Sequence, residues 1–158
     1  MRTHHLLWLS LVLIATPAAL RSEAPTAAKT FLFDPVDPSR ERTVPVKVYL
    51  TPSDSPRPVV IFSHGLGGSR ENSAYLANYW ADRGYVAVFV QHAGSDEEVW
   101  KSVERGERMA ALKSAASLQA ALARYADIPF VIDQLEEWNV SPEHTLKGKL
   151  DLEHIGLC

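Results

Sequence analysis

A lone cysteine, Cys158, stands in a chain of 158 residues, and one thiol cannot close a disulfide within the chain. Covalent stapling is excluded, although an intermolecular disulfide through Cys158 stays open. Neither sign of charge dominates, with 16 Lys and Arg against 19 Asp and Glu. There is no basic stripe for nucleic acid and no acidic tail. The apolar run at residues 6–15 is shorter than the roughly 20 residues that span a bilayer, so no transmembrane span is expected. A Gly-Lys-Ser or Gly-Lys-Thr step is absent, which removes a P-loop. His92 and His154 do not have the spacing of metal ligands. Internal repeats and low-complexity tracts are also missing.

What is present begins with a targeting pattern. Arg2, His4 and His5 make a positive start, residues 6–15 an apolar stretch, and Thr16, Pro17 and Ala18 a small-residue cleavage site. These are the parts of a signal peptide over residues 1–18, cut near Ala18. The expected location is secreted or periplasmic. Residues 19–29, rich in Ala and Pro, read as a linker. Residues 30–158 then make one domain or part of one.

Residues 44–50 alternate apolar and polar side chains as a half-buried strand does, and Pro45 places that strand toward a sheet edge. Residues 58–63 are apolar without alternation, the pattern of a central strand covered on both faces. Leu76, Tyr79, Trp80 and Arg83 recur at helical spacing, and Gly84 marks the helix end. Residues 85–90 repeat the buried-strand pattern, completing a strand–helix–strand unit. A long helical region is expected over about 103–124. Asp127 and Pro129 read as the cap and first turn of a second helix, whose stripe is Phe130, Val131, Gln134, Leu135 and Trp138. Residues 152–158 read as the next parallel strand, with Ile155 to Cys158 the start of a buried one. The fold class is three-layer α/β, helices on both faces of a mostly parallel sheet.

Ligands in such sheets bind at the carboxyl ends of the strands, which directs attention to the turn Ser63-His64-Gly65-Leu66-Gly67-Gly68-Ser69. A dinucleotide fingerprint needs a third glycine at position 70, where Arg70 stands. A plain tight turn, its glycines serving packing, is one remaining reading. The other is an oxyanion hole, in which glycines on both sides of Leu66 let the main chain approach a substrate and leave the Leu66 N–H free.

Residues 60–67, followed by Arg70, Tyr75 and Leu76, then residues 82–88, Gln91 and His92, resemble the plasma-type platelet-activating factor acetylhydrolases and their dienelactone-hydrolase-like relatives. The likeness continues through residues 130–135 into 151–158. It implies an α/β-hydrolase fold, hydrolysis of a small-molecule or lipid carboxylic ester, no cofactor, and Leu66 as the first oxyanion donor. In that family the strand at 154–157 runs into Gly-His-Ser-x-Gly, the turn that carries the nucleophile. The expectation is therefore a chain truncated just before that turn. None of the Ser, Asp and His triad is present, and the chain alone is expected to be inactive.

By the same resemblance His64 braces the turn together with Gly65, Gly67 and Gly68. His92, at a strand end, either lines the pocket or faces solvent. Asp34, Asp37 and Asp96 read as turn formers. Ser63 and Ser69 lack the G-x-S-x-G context of a nucleophile. Trp80 and Trp138 read as core. Cys158 lies two residues too early to be an elbow nucleophile. The alternative from another class is a non-catalytic α/β binding or interaction module.

Overall fold

Five strands rich in valine and phenylalanine build one sheet, and the computed structural model describes it within residues 27–158. The expected signal peptide and all but the last residues of the expected linker lie outside the described residues. The strands are β1 (Lys29–Phe33), β4 (Val46–Leu50), β5 (Arg57–Ser63), β6 (Val86–Val90) and β7 (Leu150–Leu157), in the order β1-β4-β6-β5-β7. β6, β5 and β7 are parallel; β1 and β4 extend the sheet antiparallel to them. A small hairpin of β2 (Val36–Asp37) and β3 (Arg42–Thr43) precedes β4.

Every residue of β6 is buried, because this strand is covered on both faces. Helix α1 (Ala74–Ala81) packs on one face over Tyr49, Ala87 and Phe89. Helix α4 (Leu118–Val140) covers the other, seating Val131 and Leu135 against Val46, Val48, Ile61 and Val88. Two shorter helices, α2 (Glu98–Lys101) and α3 (Arg108–Ala115), lie in the connection between β6 and α4. The three layers are those of an α/β domain. Trp80 and Trp138 pack, partly buried, against the two core clusters.

Four expectations are corrected. Pro45 does not mark an edge: β4 lies between β1 and β6, and the edge is taken by β1, whose Phe31 and Phe33 pair with Val48 and Val46. The buried positions of α1 are Ala77 and Ala81, while Tyr79 faces out beneath the Arg83 guanidinium, 3.4 Å from its ring centre. The small alanines are chosen because the helix lies close over the bulky Phe62 and Phe89.

The third correction concerns residues 103–140. Instead of a long helix to 124 and a second from 127, the chain breaks at Ala116 and Ser117 and then runs as one helix through Pro129. Ser117 caps it, accepting from the Ala120 N–H at 3.1 Å. Pro129 has no N–H to offer the Tyr125 carbonyl, but the helix is held on both sides of it, by Val131 and Leu135 in the core and by Asp127 in ion pairs. Asp127 is therefore no cap; it is fully buried. Fourth, β7 is largely half-exposed rather than buried, with Leu157 59% exposed, because among the described residues only β5 lies beside it.

Candidate active site

β5 and β6 are parallel and end side by side, so the two histidines that follow them meet. The His64 and His92 ring centres are 5.3 Å apart. The His92 main-chain N–H donates to His64 Nε2 at 3.1 Å. His64 therefore carries its proton on Nδ1, which donates to the Gly65 carbonyl at 2.7 Å. The same carbonyl accepts the Gly68 N–H at 3.0 Å. From the opposite side the Gly67 N–H donates to the Ser95 carbonyl at 2.8 Å, and Trp100 Nε1 donates to the Gly67 carbonyl at 2.8 Å.

Gly67 has φ of 76°, so the turn requires glycine for its backbone; a Cβ there would also crowd the tip of Leu112 at 2.8 Å and the Trp100 ring at 3.0 Å. Gly68 is close-packed for another reason, since its Cβ would meet that of His64 at 3.0 Å. Gly65 has open space around it. Amid these contacts the Leu66 N–H has no hydrogen-bond partner among the described residues. Its side chain, 45% exposed, borders a cavity of about 320 Å³ walled by Ser95, Ala115, Ala116, Ala120, Ala121 and Arg124.

Beneath the turn lies a line of hydrogen bonds. Ser63, the last residue of β5, has its Oγ 2.9 Å from His92 Nε2, and His92 Nδ1 is 2.9 Å from Asp127 Oδ2. Ionised Asp127 only accepts, so His92 Nδ1 bears the proton and Nε2 accepts from the Ser63 hydroxyl. Arg124, one turn before Asp127 on α4, donates to Ser63 Oγ at 3.0 Å, to Ser95 Oγ at 3.0 Å and to the His64 carbonyl. The β2–β3 hairpin delivers two further guanidinium groups to Asp127, Arg40 at 2.8 Å and Arg42 at 2.8 and 2.9 Å. Asp37 orients Arg40 within the hairpin.

These contacts set the protonation states. Burial by itself would raise the Asp127 carboxyl, but the hydrogen bonds from His92, Arg42 and Arg40 outweigh it and hold the group below the ordinary carboxylate range. Burial pushes His92 down, aided by the charges of Arg124 and Arg42, against the pull of Asp127. His64 is likewise lowered, first by burial. Both histidines are thus neutral in the folded chain and take up protons more readily when it unfolds. Their contribution to stability is complete above the unfolded histidine value of about 6.5 and declines as the pH falls below it; that of Asp127 is lost below about 4. The urea midpoint is accordingly expected to fall between pH 7.5 and pH 5.5. A midpoint that stays level over that interval would contradict neutral, buried imidazoles.

His92 has no exposed surface, so it neither faces solvent nor stands at the cavity wall: the parallel pairing draws it under the turn. Ser63, which lacks the sequence context of a nucleophile, and Asp127, which has the sequence pattern of a cap, both touch His92. No local sequence pattern marks Arg124, Arg40 or Arg42. A signal for Asp127 did exist, because it falls on the same helical stripe as Val131 and Leu135, where an acid needs a buried partner. Asp34 pairs with Arg70 at 2.7 Å, Asp96 accepts from Gln91 at 2.9 Å, and Ser69 bonds within its own turn. His154 is exposed and pairs only with Asp151. Cys158 is exposed, and desolvation raises its thiol. Among the described residues no three His, Cys, Asp or Glu side chains are grouped to hold a metal, and no helix is long and apolar enough to cross a membrane.

The parallel strands, their covering helices and the His-Gly-x-Gly turn at the strand ends define an α/β-hydrolase fold. Within that class the chain belongs to the family "Platelet-activating factor acetylhydrolase, isoform II", which it matches over residues 25–113, more than half its length. Solved structures agree on the fold. A protein described as a dienelactone hydrolase from Klebsiella pneumoniae superposes with a TM-score of 0.56 at 17% identity, over 82% of this chain and 49% of its own. A ferulic acid esterase from Streptomyces cinnamoneus superposes at 0.53 with 21% identity, over 89% and 53%. A protein described as a dipeptidyl aminopeptidase IV from Bacteroides ovatus does so at 0.52 with 12% identity, over 84% and 17%. The chain thus spans about half the length of the first two and less of the third. No curated protein sequence matches it.

Proposed function

We propose that the chain supplies the oxyanion side of an exported serine ester hydrolase acting on a small-molecule or lipid ester. The observation that carries this reading is the Leu66 N–H, without a hydrogen-bond partner among the described residues, in a turn anchored through the His64 and Gly65 carbonyls, the Gly67 N–H and carbonyl and the Gly68 N–H. A developing oxyanion needs such a rigid donor, already aimed and free of competing bonds. Membership of the acetylhydrolase family supports the same chemistry. The nucleophile, on this reading, follows β7, whose end lies beside that of β5, and residues 1–158 alone hydrolyse no ester above background.

Two measurements check this. The purified chain is expected to show neither p-nitrophenyl acetate turnover nor labelling by a fluorophosphonate; labelling at Ser63 would make Ser63, His92 and Asp127 a working triad and refute the reading. DNA downstream of codon 158 is expected to encode Gly-His-Ser-x-Gly, and a protein extended through it to be an esterase. In that protein Leu66→Pro, which removes the donor, is expected to lower kcat by about 10²–10³-fold, while Leu66→Gly, which keeps it, is not. Equal loss in both variants would assign the effect to the side chain and not to the N–H.

A further inference from the structure

The Ser63–His92–Asp127 line has the order and spacing of a catalytic relay, yet its surroundings are those of a clamp. Ser63 belongs to a regular strand and not to a strained turn, and its Oγ accepts a charged hydrogen bond from Arg124. His92 and Asp127 have no exposed surface. Every proton along the line has a single place: Asp127 accepts from His92, His92 accepts from Ser63, and Ser63 accepts from Arg124. The line is closed at both ends by guanidinium groups, and the charged hydrogen bond from Arg124 occupies one of the two lone pairs on Ser63 Oγ and draws electron density from it.

We propose that Arg124 is a positioning residue, which with Ser63, His92 and Asp127 locks the oxyanion turn onto helix α4. Its guanidinium reaches two separate segments, the junction of β5 with the turn through Ser63 Oγ and the His64 carbonyl, and the loop after β6 through Ser95 Oγ. That loop in turn holds the Gly67 N–H. Asp127, one turn further along α4, grips the same loop through His92. The helix is therefore attached at two points, and two attachments prevent the rotation that a single one would permit. The fork geometry matters, because Nη1 and Nη2 aim at Ser95 and Ser63 from two fixed nitrogens, whereas the three donors of an ammonium radiate from a single nitrogen on a flexible stem. Ordering an oxyanion donor gives the clamp its purpose and rests on the ester-hydrolase reading; the clamp itself does not.

The test is nuclear magnetic resonance on the ¹⁵N-labelled 158-residue chain and its Arg124→Ala, Arg124→Lys and Asp127→Asn variants. His92 is expected to show the Nδ1–H tautomer with a slowly exchanging ring proton, a signature that Asp127→Asn abolishes. Losing the charged bonds of Arg124 is expected to speed amide exchange at Gly67 and Gly68 by about tenfold or more, with Ile61 and Val88 in the β5–β6 ladder unchanged. Arg124→Lys, the variant to use should the alanine form not fold, is expected to restore the turn only in part. Exchange that rises equally in turn and ladder, a turn unaffected by either variant, or full rescue by lysine would overturn the proposal. So would fluorophosphonate labelling of Ser63. Esterase assays on the extended protein read the functional proposal separately, since amide exchange does not depend on turnover.

Discussion

Asp127→Ala is expected to destabilise the chain by about 3–5 kcal/mol, the usual consequence of removing one partner from a buried ion pair. The carboxylate is fully buried and answers Arg40, Arg42 and His92 at once. Without it, two guanidinium groups that are only 25% and 19% exposed face each other across an empty site. Arg40 has little room to adapt, because its Nη2 is already buried without a partner. His92 would also lose the acceptor that sets its tautomer. Urea denaturation at pH 7.5 measures the loss, and a value under about 1 kcal/mol would show that the cluster contributes little net stability. Asp127→Asn is expected to cost less, since it keeps the volume and one acceptor, although its amide N–H₂ would point a donor at a donor.

Phe89→Ala is expected to have a comparable effect on the other face of the sheet, about 3–5 kcal/mol. Phe89 is fully buried, stacks on Phe62 at 4.5 Å and meets Tyr49 at 5.6 Å and Trp80 at 6.1 Å. It is the largest fully buried side chain among the described residues. The other buried members of its cluster, besides Tyr49, are Ala77 and Ala81 on α1 and Ala87 on its own strand, and alanines have no side-chain freedom with which to fill a cavity. The urea midpoint should fall without a change in slope. A reduced slope would indicate that α1 has come away from the sheet and that the native state itself has loosened.

The parts of this protein legible in its sequence share one property: they follow from local patterning. The unbroken apolar run at 86–90 is buried along its whole length, that at 58–63 is its parallel partner, buried at Val59 and Ile61 and half-buried elsewhere, and the intervening helix and Gly84 complete the unit. The His-Gly-x-Gly turn is likewise a local signal, because glycine at 67 answers a demand of its own backbone. Where tertiary contacts outweighed local preference, the reading went astray. Pro129 and Asp127 look like a helix start, yet Val131, Leu135 and the arginines of a distant hairpin hold the helix through them. Pro45 looks like an edge marker, but β1 pairs outside it.

Fold class, family and the position of the turn are readable from the chain alone, since each is carried by short stretches recognised one after another in order along it. What lies beneath that turn follows from packing between distant segments. Ser63, His92, Arg124 and Asp127 come from a strand end, a loop and a helix, and none carries a motif that names the others. Their meeting depends on the parallel pairing of β5 with β6 and on the rotation of α4 about its axis. Those are set by which faces bury the most apolar surface, a property of the whole packed domain and not of any one stretch of chain.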